Sequence, residues 1–172
     1  MDDLIALGAR PDEAEPELTA MVLDQPPPYV PDVTVRQVST ISDFAEMERV
    51  RATVFGGAPP SGDDLHRGWR ALSRTAGSAA FVAQLDGAIV GYGVMRRTDR
   101  GPWLLAGGVT MPHASGRGGY RALVRARWDA AQAMGAPALV TQAQEASRPI
   151  LQRLGFRTAG SIVVLIDRLA SR

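Results

Sequence analysis

Glycine and arginine residues are concentrated between Gly107 and Arg121, where an apolar run leads into a segment with helical periodicity. Within this stretch, residues 115–121 have the sequence Ser-Gly-Arg-Gly-Gly-Tyr-Arg. Glycine allows the backbone to turn sharply and to approach a ligand closely. The first turn of a helix presents unpaired N–H donors and the positive end of the helix dipole to an anion. The pattern therefore predicts a strand that ends in a phosphate-binding loop.

The composition excludes several other kinds of chemistry. The chain has no cysteine, which excludes disulfides, thiol nucleophiles and thiolate metal ligands. Its two histidines, His66 and His113, are far apart in sequence and do not indicate a zinc site. All 19 basic residues are arginine, so no lysine can form a Schiff base or carry an acyl group.

Charge and length indicate a small protein without a strong electrostatic field. The 19 basic and 18 acidic residues nearly balance, so no global field favours nucleic acid or a membrane surface. The N-terminus lacks the basic region of a signal peptide, and no apolar run is long enough to span a bilayer. With 172 residues, of which 45% are hydrophobic, we expect one buried core in a cytoplasmic protein.

The first 32 residues differ in composition from the rest. Residues 1–24 contain seven acidic groups and one basic group, Arg10, and a proline-rich spacer follows over residues 25–31. We therefore expect an acidic, proline-rich arm over residues 1–32 and a domain over residues 33–172.

Two short segments of this arm resemble segments near the C-terminus. Leu7–Arg10 and Met21–Asp24 correspond to Leu154–Arg157 and Val164–Asp167. With so few matching residues, chance explains the likeness readily. The alternative is a remnant of a preceding copy of the same fold, which places Met21 to Leu23 as a strand near the sheet.

Hydrophobic periodicity predicts the elements that position the glycine loop. Before the loop we expect a strand over 33–38, a helix capped by Thr40 or Ser42 with Phe44, Met47, Val50 and Val54 on its apolar face, a short helix with Leu65, Trp69 and Leu72, and strands over 79–85, 88–95 and 103–110. After it we expect a helix with Tyr120, Leu123, Val124, Trp128 and Ala131 that stops at Gly135, a strand over 138–142, a helix over 147–154 and a strand over 161–167. Asp86-Gly87 is typical of a tight hairpin. The order predicts a mixed-sheet α/β domain.

Residues 109–123 and 147–156 resemble the GNAT (Gcn5-related N-acetyltransferase) superfamily. The family's cofactor motif, Arg/Gln-x-x-Gly-x-Gly/Ala, falls on residues 115–120, where Ser115 and Tyr120 depart from it. The second signature, Leu-Gly-Phe after a helix, is present at Leu154–Phe156. The resemblance implies a single mixed, mostly antiparallel sheet, splayed at its centre and flanked by helices.

The resemblance also implies that acetyl-CoA is the acyl donor. The backbone of Val109, Thr110 and Met111 is then expected to pair with the pantetheine amides, as an added strand would. The N–H of Val109 is expected to face the thioester oxygen and to stabilise the oxyanion.

The pyrophosphate of this donor is expected at the N–H groups of residues 116–121. Ser115 removes a cation that the family motif supplies, and Arg117 and Arg121 are expected to replace it. A side chain at Gly118 is expected to occupy the place of the pyrophosphate. The predicted cofactor-binding residues are Val109, Thr110, Met111, Ser115, Gly116, Arg117, Gly118, Gly119, Tyr120, Arg121 and Gln144, the last at a position where the family tends to have asparagine.

The catalytic groups are less well determined by the resemblance. Where the family often has a tyrosine acid, this chain has Leu151, which cannot donate a proton. Ser147 lies one helical turn earlier and is either the acid or the helix N-cap. Glu145 is the candidate base, or an exposed loop residue. Tyr92 points either into an acceptor pocket or into the core.

Two functional hypotheses follow from these residues. The first is an N-acetyltransferase that moves the acetyl group directly to an amine of a small molecule or a peptide. The second is a non-catalytic module that binds acyl-CoA. A Rossmann site has a similar glycine loop, but there the loop follows the first strand, whereas here it follows the fourth. We expect no metal, no nucleic acid and no membrane as partners, and a homodimer remains open.

Overall fold

A computed structural model describes residues 2–12, 17–99 and 101–166. In chain order its elements are α1 (Asp2–Ala6), β1 (Arg10–Pro11), β2 (Leu18–Leu23), β3 (Thr34–Gln37), α2 (Ile41–Phe55), α3 (Gly62–Arg74), β4 (Ser78–Leu85), β5 (Ala88–Arg97), β6 (Trp103–Thr110), a 3-10 turn (Pro112–Ala114), α4 (Gly119–Ala133), β7 (Leu139–Ala143), α5 (Arg148–Arg153), β8 (Arg157–Ile162) and β9 (Leu165–Ile166). No helix among these residues is long and apolar enough to cross a membrane.

The chain forms two compact units, Leu23–Val140 and Met1–Val22 with Thr141–Arg172. These units do not test the boundary predicted between residues 32 and 33, which stays a prediction.

The unit Leu23–Val140 contains an antiparallel run of strands in the order β3, β4, β5, β6. The predicted hairpin is confirmed, because Asp86 and Gly87 join β4 to β5 with φ angles of 52° and 79°. Strand β6 begins at Trp103 and ends at Thr110, as predicted, and pairs in parallel with β7 at Trp103 and Leu104.

Helix α2 packs its apolar side on one face of these strands. It begins with a capping box, in which Thr40 accepts from the Asp43 N–H and Asp43 accepts from the Thr40 N–H. This selects Thr40 rather than Ser42 as the cap. The buried cluster on this face contains Val38, Phe44, Met47, Val50, Ala80, Val82 and Tyr92, and α3 adds Leu65, Trp69 and Leu72 at its margin.

Helix α4 packs on the opposite face. A Cβ atom placed on Gly91 or Gly93 of β5 would contact side chains of α4, whereas Tyr92 between them lies in the α2 cluster. The predicted apolar residues Leu123, Val124, Trp128 and Ala131 are buried, and the helix ends before Gly135, which has a φ of 75°. The start of this helix is thereby fixed beside the end of β6.

The other unit is built from both ends of the chain. Strand β2 pairs antiparallel with β8, and β1 pairs antiparallel with β9. The expectation that Met21 to Leu23 form a strand beside the sheet is therefore confirmed. The single strand predicted over 161–167 is wrong, since β8 ends at Ile162 and β9 is a separate short strand; Asp167 lies outside the described residues. Hydrophobic periodicity could not find the break, because the partners of β8 and β9 lie at the other end of the chain.

Candidate functional site

The end of β6 has backbone groups that face away from its neighbour β5. The Met111 N–H donates to the Val90 carbonyl at 2.7 Å. Successive residues of a strand present their backbone groups to opposite edges, so the Val109 N–H also faces β5, and the groups of Gly108 and Thr110 face outward. The outward donors for a ligand amide are thus those of Gly108 and Thr110, one residue away from the predicted Val109 donor.

A bulge separates this part of β6 from its regular beginning. The register between β5 and β6 shifts between Val94 and Met95, and Gly107 has a φ of 148°. Ala106 and Gly107 are exposed, and residues 108–111 are partly exposed. The bulge therefore turns an accessible strand edge toward solvent.

Arg127 of α4 holds this bulge from within the protein. Its Nη1 donates to the carbonyls of Gly107 at 2.9 Å and Val94 at 3.2 Å, and its Nε donates to the Leu123 carbonyl at 3.0 Å. The side chain is fully buried, and burial lowers the pKa of Arg127, an effect that Tyr120 opposes. The guanidinium supplies donors to carbonyls at the irregular point of the sheet.

The sequence contained a signal for Arg127 that was not used. Arg127 lies four residues after Leu123, inside the predicted apolar stripe of α4, where an exposed charge is not expected. Gly93 provides the space, because a Cβ atom there would lie 2.6 Å from the Arg127 Cζ. A charge in an apolar stripe facing a strand glycine indicates a buried polar anchor.

The segment between β6 and α4 presents free backbone donors. The first hydrogen bond into the helix runs from the Ala122 N–H to the Gly118 carbonyl at 2.9 Å. The N–H groups of Gly119, Tyr120 and Arg121 precede it and lack an intrahelical acceptor. Donors and dipole at this point can bind a phosphate group.

A buried hydroxyl lies beside these donors. Thr110 Oγ1 is buried and has no hydrogen-bond partner within the described part of the chain. A Cβ atom on Gly119 would lie 3.6 Å from it. An unpartnered buried hydroxyl is costly unless a ligand or water satisfies it. The residues present therefore fit a ligand that carries both amides and phosphates.

The two arginines expected near the phosphates differ in their surroundings. Arg117 Nη2 lies 2.8 Å from Asp86 Oδ2, and both side chains are exposed. The Arg121 side chain is also exposed, and no ion pair or hydrogen bond engages it within the ranges described. Arg121 can thus bind an anion without losing a contact, whereas Arg117 must first break its ion pair with Asp86.

Gly118 is required by the fold of the protein itself. It caps α4 in the left-handed region with a φ of 87°, and a Cβ atom there would lie 2.8 Å from Val30 Cγ1. An added side chain would thus meet the protein and strain the backbone. That a side chain here would also occupy the place of the pyrophosphate stays a prediction.

A buried acid lies on the α2 face near the end of β6. Glu48 is buried and accepts a hydrogen bond from Arg51 Nε at 2.8 Å. Tyr92, which pairs with Val109 in the register, lies in the same buried cluster. Burial raises the pKa of Tyr92, Arg51 lowers it and Glu48 raises it further. Of the two interpretations of Tyr92, the core position is correct, but its surroundings are not purely apolar.

Glu48 was not among the residues predicted from the sequence. Glu48 follows Phe44 by four residues and therefore lies on the apolar side of α2, where an acidic residue is unexpected. That position was the available signal.

The remaining predicted residues lie in the other compact unit. Gln144 and Glu145 are exposed in the turn after β7. Ser147 is the N-cap residue of α5, as one of the two interpretations predicted, but its hydroxyl donates to the Gln144 carbonyl at 3.0 Å and makes no capping hydrogen bond to the helix. Leu151 is buried. This unit brings Gln144 and Ser147 together and leaves Glu145 in solvent.

Comparison with known proteins shows the family to which the chain is similar. The sequence pattern of the acetyltransferase (GNAT) family matches residues 43–156. No curated protein sequence matches the chain. Many solved structures are similar in fold, and three of them are described next.

The GCN5-related N-acetyltransferase from Kribbella flavida has 16% identity and a TM-score of 0.66 over 97% of this chain and 63% of its own. The enzyme AAC(6')-Iy, in complex with the bisubstrate analog CoA-S-monomethyl-acetylneamine, has 18% identity and a TM-score of 0.68 over 80% of this chain and 99% of its own. A tandem GNAT protein from the clavulanic acid biosynthesis pathway has 16% identity and a TM-score of 0.66 over 94% of this chain and 55% of its own.

The likeness confirms the predicted fold class, a mixed and mostly antiparallel sheet flanked by helices. The chain spans less than two thirds of the Kribbella protein and about half of the tandem protein.

Proposed function

This chain belongs to the acetyltransferase (GNAT) family, and on that premise we propose that it transfers an acetyl group from acetyl-CoA directly to an amine of a small molecule or a peptide. The observation that carries the proposal is the position of the outward edge of Gly108 and Thr110 beside the free N–H groups of residues 119–121. An acyl carrier with amides along its arm and a pyrophosphate at its end matches this order of donors.

The proposed contacts assign different parts of the carrier to different groups. The backbone of Gly108 and Thr110 pairs with the pantetheine amides. The N–H groups of residues 119–121 bind the pyrophosphate, and Arg121 adds a positive charge. The buried Thr110 hydroxyl gains a partner when the site is filled. Gln144 remains a proposed cofactor contact from the family resemblance.

The transfer forms a bond from the acceptor nitrogen to the acetyl carbon and breaks the bond from that carbon to sulfur. The amine must lose a proton, and the leaving thiolate must gain one. We propose Glu145 as the base, acting directly or through water, and Ser147 as the acid. A thiol with a pKa of about 8.5 also leaves without a dedicated acid near neutral pH.

Glu48 is the competing base. Its carboxylate is buried beside Arg51 and close to Tyr92, which pairs with Val109 at the end of β6. Rate measurements against pH on Glu145→Gln and Glu48→Gln separate the two acids, with urea unfolding of each variant as a check on folding. If Glu145 is the base, Glu145→Gln is slower and loses the acidic limb. If Glu145→Gln keeps the wild-type profile and Glu48→Gln loses that limb, the base is Glu48.

One observation favours a second candidate function, a module that binds acyl-CoA without turning it over. Leu151, at the position of the family's tyrosine acid, is buried and cannot donate a proton. The experiment incubates the full chain and acetyl-CoA with a panel of small amines and peptides, and detects acetylated product by mass spectrometry. Product above the enzyme-free rate supports the transferase, whereas tight binding without product supports the module.

A further inference from the structure

The two ends of the chain share a local structure as well as a sequence pattern. Gly8 follows α1 with a φ of 102°, and Gly155 follows α5 with a φ of 96°. The N–H after each glycine donates to a carbonyl five residues earlier, Ala9 to Leu4 at 3.0 Å and Phe156 to Leu151 at 3.1 Å. Such a helix end is common by itself. Here each helix end is followed by two strands, so we call residues 2–23 and 148–166 the first and second copies.

The strands of the two copies pair reciprocally. The first strand of the first copy, β1, pairs with the last strand of the second, β9, at Arg10 and Ile166. The last strand of the first copy, β2, pairs with the first strand of the second, β8, at Val22 and Arg157. Any two antiparallel segments pair in this order, so the pairing shows how the two copies are arranged and is not evidence of a common origin. The remnant interpretation is supported by the matching helix ends and by the strands that follow each of them.

Equivalent apolar residues of the two copies differ sharply in burial. Leu154 is 7% exposed, whereas its counterpart Leu7 is 82% exposed. Leu23 is 1% exposed, whereas its counterpart Ile166 is 43% exposed. Leu4 of α1 is also exposed, although its counterpart Leu151 is buried. The apolar residues of α1 and β9 thus follow the pattern of α5 and β2, but no other element of the described chain buries them.

The difference in burial is matched by a difference in strand neighbours. Strand β2 lies between β7 and β8. Its counterpart β9 pairs with β1 alone among the residues described, so one edge of β9 is open. An open edge beside exposed apolar side chains is a pairing surface. We define the α1–β9 surface as this edge together with Leu4, Ile5, Leu7 and Ile166.

We propose that the α1–β9 surface binds a second domain with the same acetyltransferase fold. The last strand in the sheet of that domain is the one that corresponds to β7. That strand would pair with the open edge of β9, as β7 pairs with β2, and its sheet would cover Leu4 and Leu7. A second copy of this chain does not offer such an edge, because its own β7 is already paired with β2. The chain covers about half of a protein described as a tandem GNAT, which has room for a further domain of this size.

The test places residues 24–148 of this chain directly ahead of residue 2 of the full chain. In this fusion α1 follows the added sheet in the same way that α5 follows the sheet of the original domain. Strand β9 can then pair with the last strand of the added sheet. We expect a monomer by sedimentation velocity, and hydrogen exchange of the amides of residues 163–166 slowed by about 100-fold relative to the full chain alone. Both readouts are independent of acetyl transfer, so they distinguish failure of this proposal from failure of the proposed function.

Matched variants define the surface. The double variant Leu4→Asp/Leu7→Asp should restore fast exchange in the fusion and leave the unfolding of the full chain unchanged. Phe55→Asp, at an exposed apolar residue outside the surface, should leave the protection intact. Fast exchange in the fusion, or an added sheet that does not fold, overturns the proposal. A homodimer of the full chain with protected residues 163–166 also overturns it, because the occupant would then be a second copy.

Discussion

Replacement of Arg127 by methionine should destabilise the protein and weaken acetyl-CoA binding together. Methionine has a similar length but no donor, so the carbonyls of Val94 and Gly107 lose the partner that Arg127 provides. The Leu123 carbonyl keeps the ordinary helical N–H as its partner. A buried acceptor left without a donor costs about 1 to 3 kcal/mol; because Gly107 is exposed and Val94 half-buried, water replaces part of the lost bonding, and the gross loss for the two carbonyls is roughly 2 to 4 kcal/mol.

Removal of the charge offsets part of this loss. A fully buried guanidinium is costly to desolvate, and replacement of a buried charge by an apolar side chain of similar volume returns some of that cost. We therefore expect a net decrease of about 1 to 3 kcal/mol in the free energy of unfolding. Because the bulge directs the outward donors of Gly108 and Thr110, the affinity for acetyl-CoA should fall as well.

The assay is urea unfolding followed by tryptophan fluorescence, with calorimetric titration of acetyl-CoA on the folded variant. Arg125→Met is the matched control on the same helix. Arg125 is partly exposed, pairs with Asp129 at 2.9 Å and donates to the Pro27 carbonyl at 3.1 Å. It should cost about 1 kcal/mol or less. An Arg127→Met protein with wild-type stability and affinity would refute the role given to this side chain.

Three further outcomes follow from the same geometry. Arg117→Ala should weaken acetyl-CoA binding by less than about 1 kcal/mol, because Arg117 gives up Asp86 to reach a phosphate; a tenfold loss in titration would contradict this. Gly118→Ala should lower the melting temperature as well as the affinity, since the added Cβ strains a left-handed residue and meets Val30; lost affinity at an unchanged melting temperature would mean that the added side chain acts only by blocking the pyrophosphate. Although burial acts to raise the pKa of Asp43, hydrogen bonds from Arg36, Ser39 and Thr40 hold it below the ordinary value, so its stabilising effect is present above pH about 4 and is lost as the pH falls through the lowered pKa. Asp43→Asn should then be less stable than wild type at pH 7 and equal to it near pH 2, and a constant difference in urea unfolding would count against this linkage.

Local signals in the sequence were sufficient for most of the fold. Asp86-Gly87 requires only four neighbouring residues to form its turn, and the stripe of α2 requires only its own periodicity. The last strand failed because its break depends on pairing with residues near the N-terminus. No local pattern contains that information.

The candidate site was predictable to a similar extent. The glycine loop and the start of α4 follow from residue types alone. The direction of the Val109 N–H depends on which residues of β5 pair with β6, and a register cannot be read from one strand. Arg127 was missed because the carbonyls of Val94 and Gly107 that it binds belong to other elements. Glu48 has its partner Arg51 on the same helix, and its position in the apolar stripe of α2 was the visible signal.

Calorimetric titration of acetyl-CoA into the full chain at low salt tests the central claim most directly. The account predicts one site per chain and an affinity that falls by about tenfold or more in Arg121→Ala, the size of a lost charge-assisted hydrogen bond. Arg153→Ala, at an exposed arginine of α5, should bind as wild type does. The absence of any binding to the wild-type chain, or equal affinities of wild type and Arg121→Ala, would contradict the assignment of this loop to the acyl carrier.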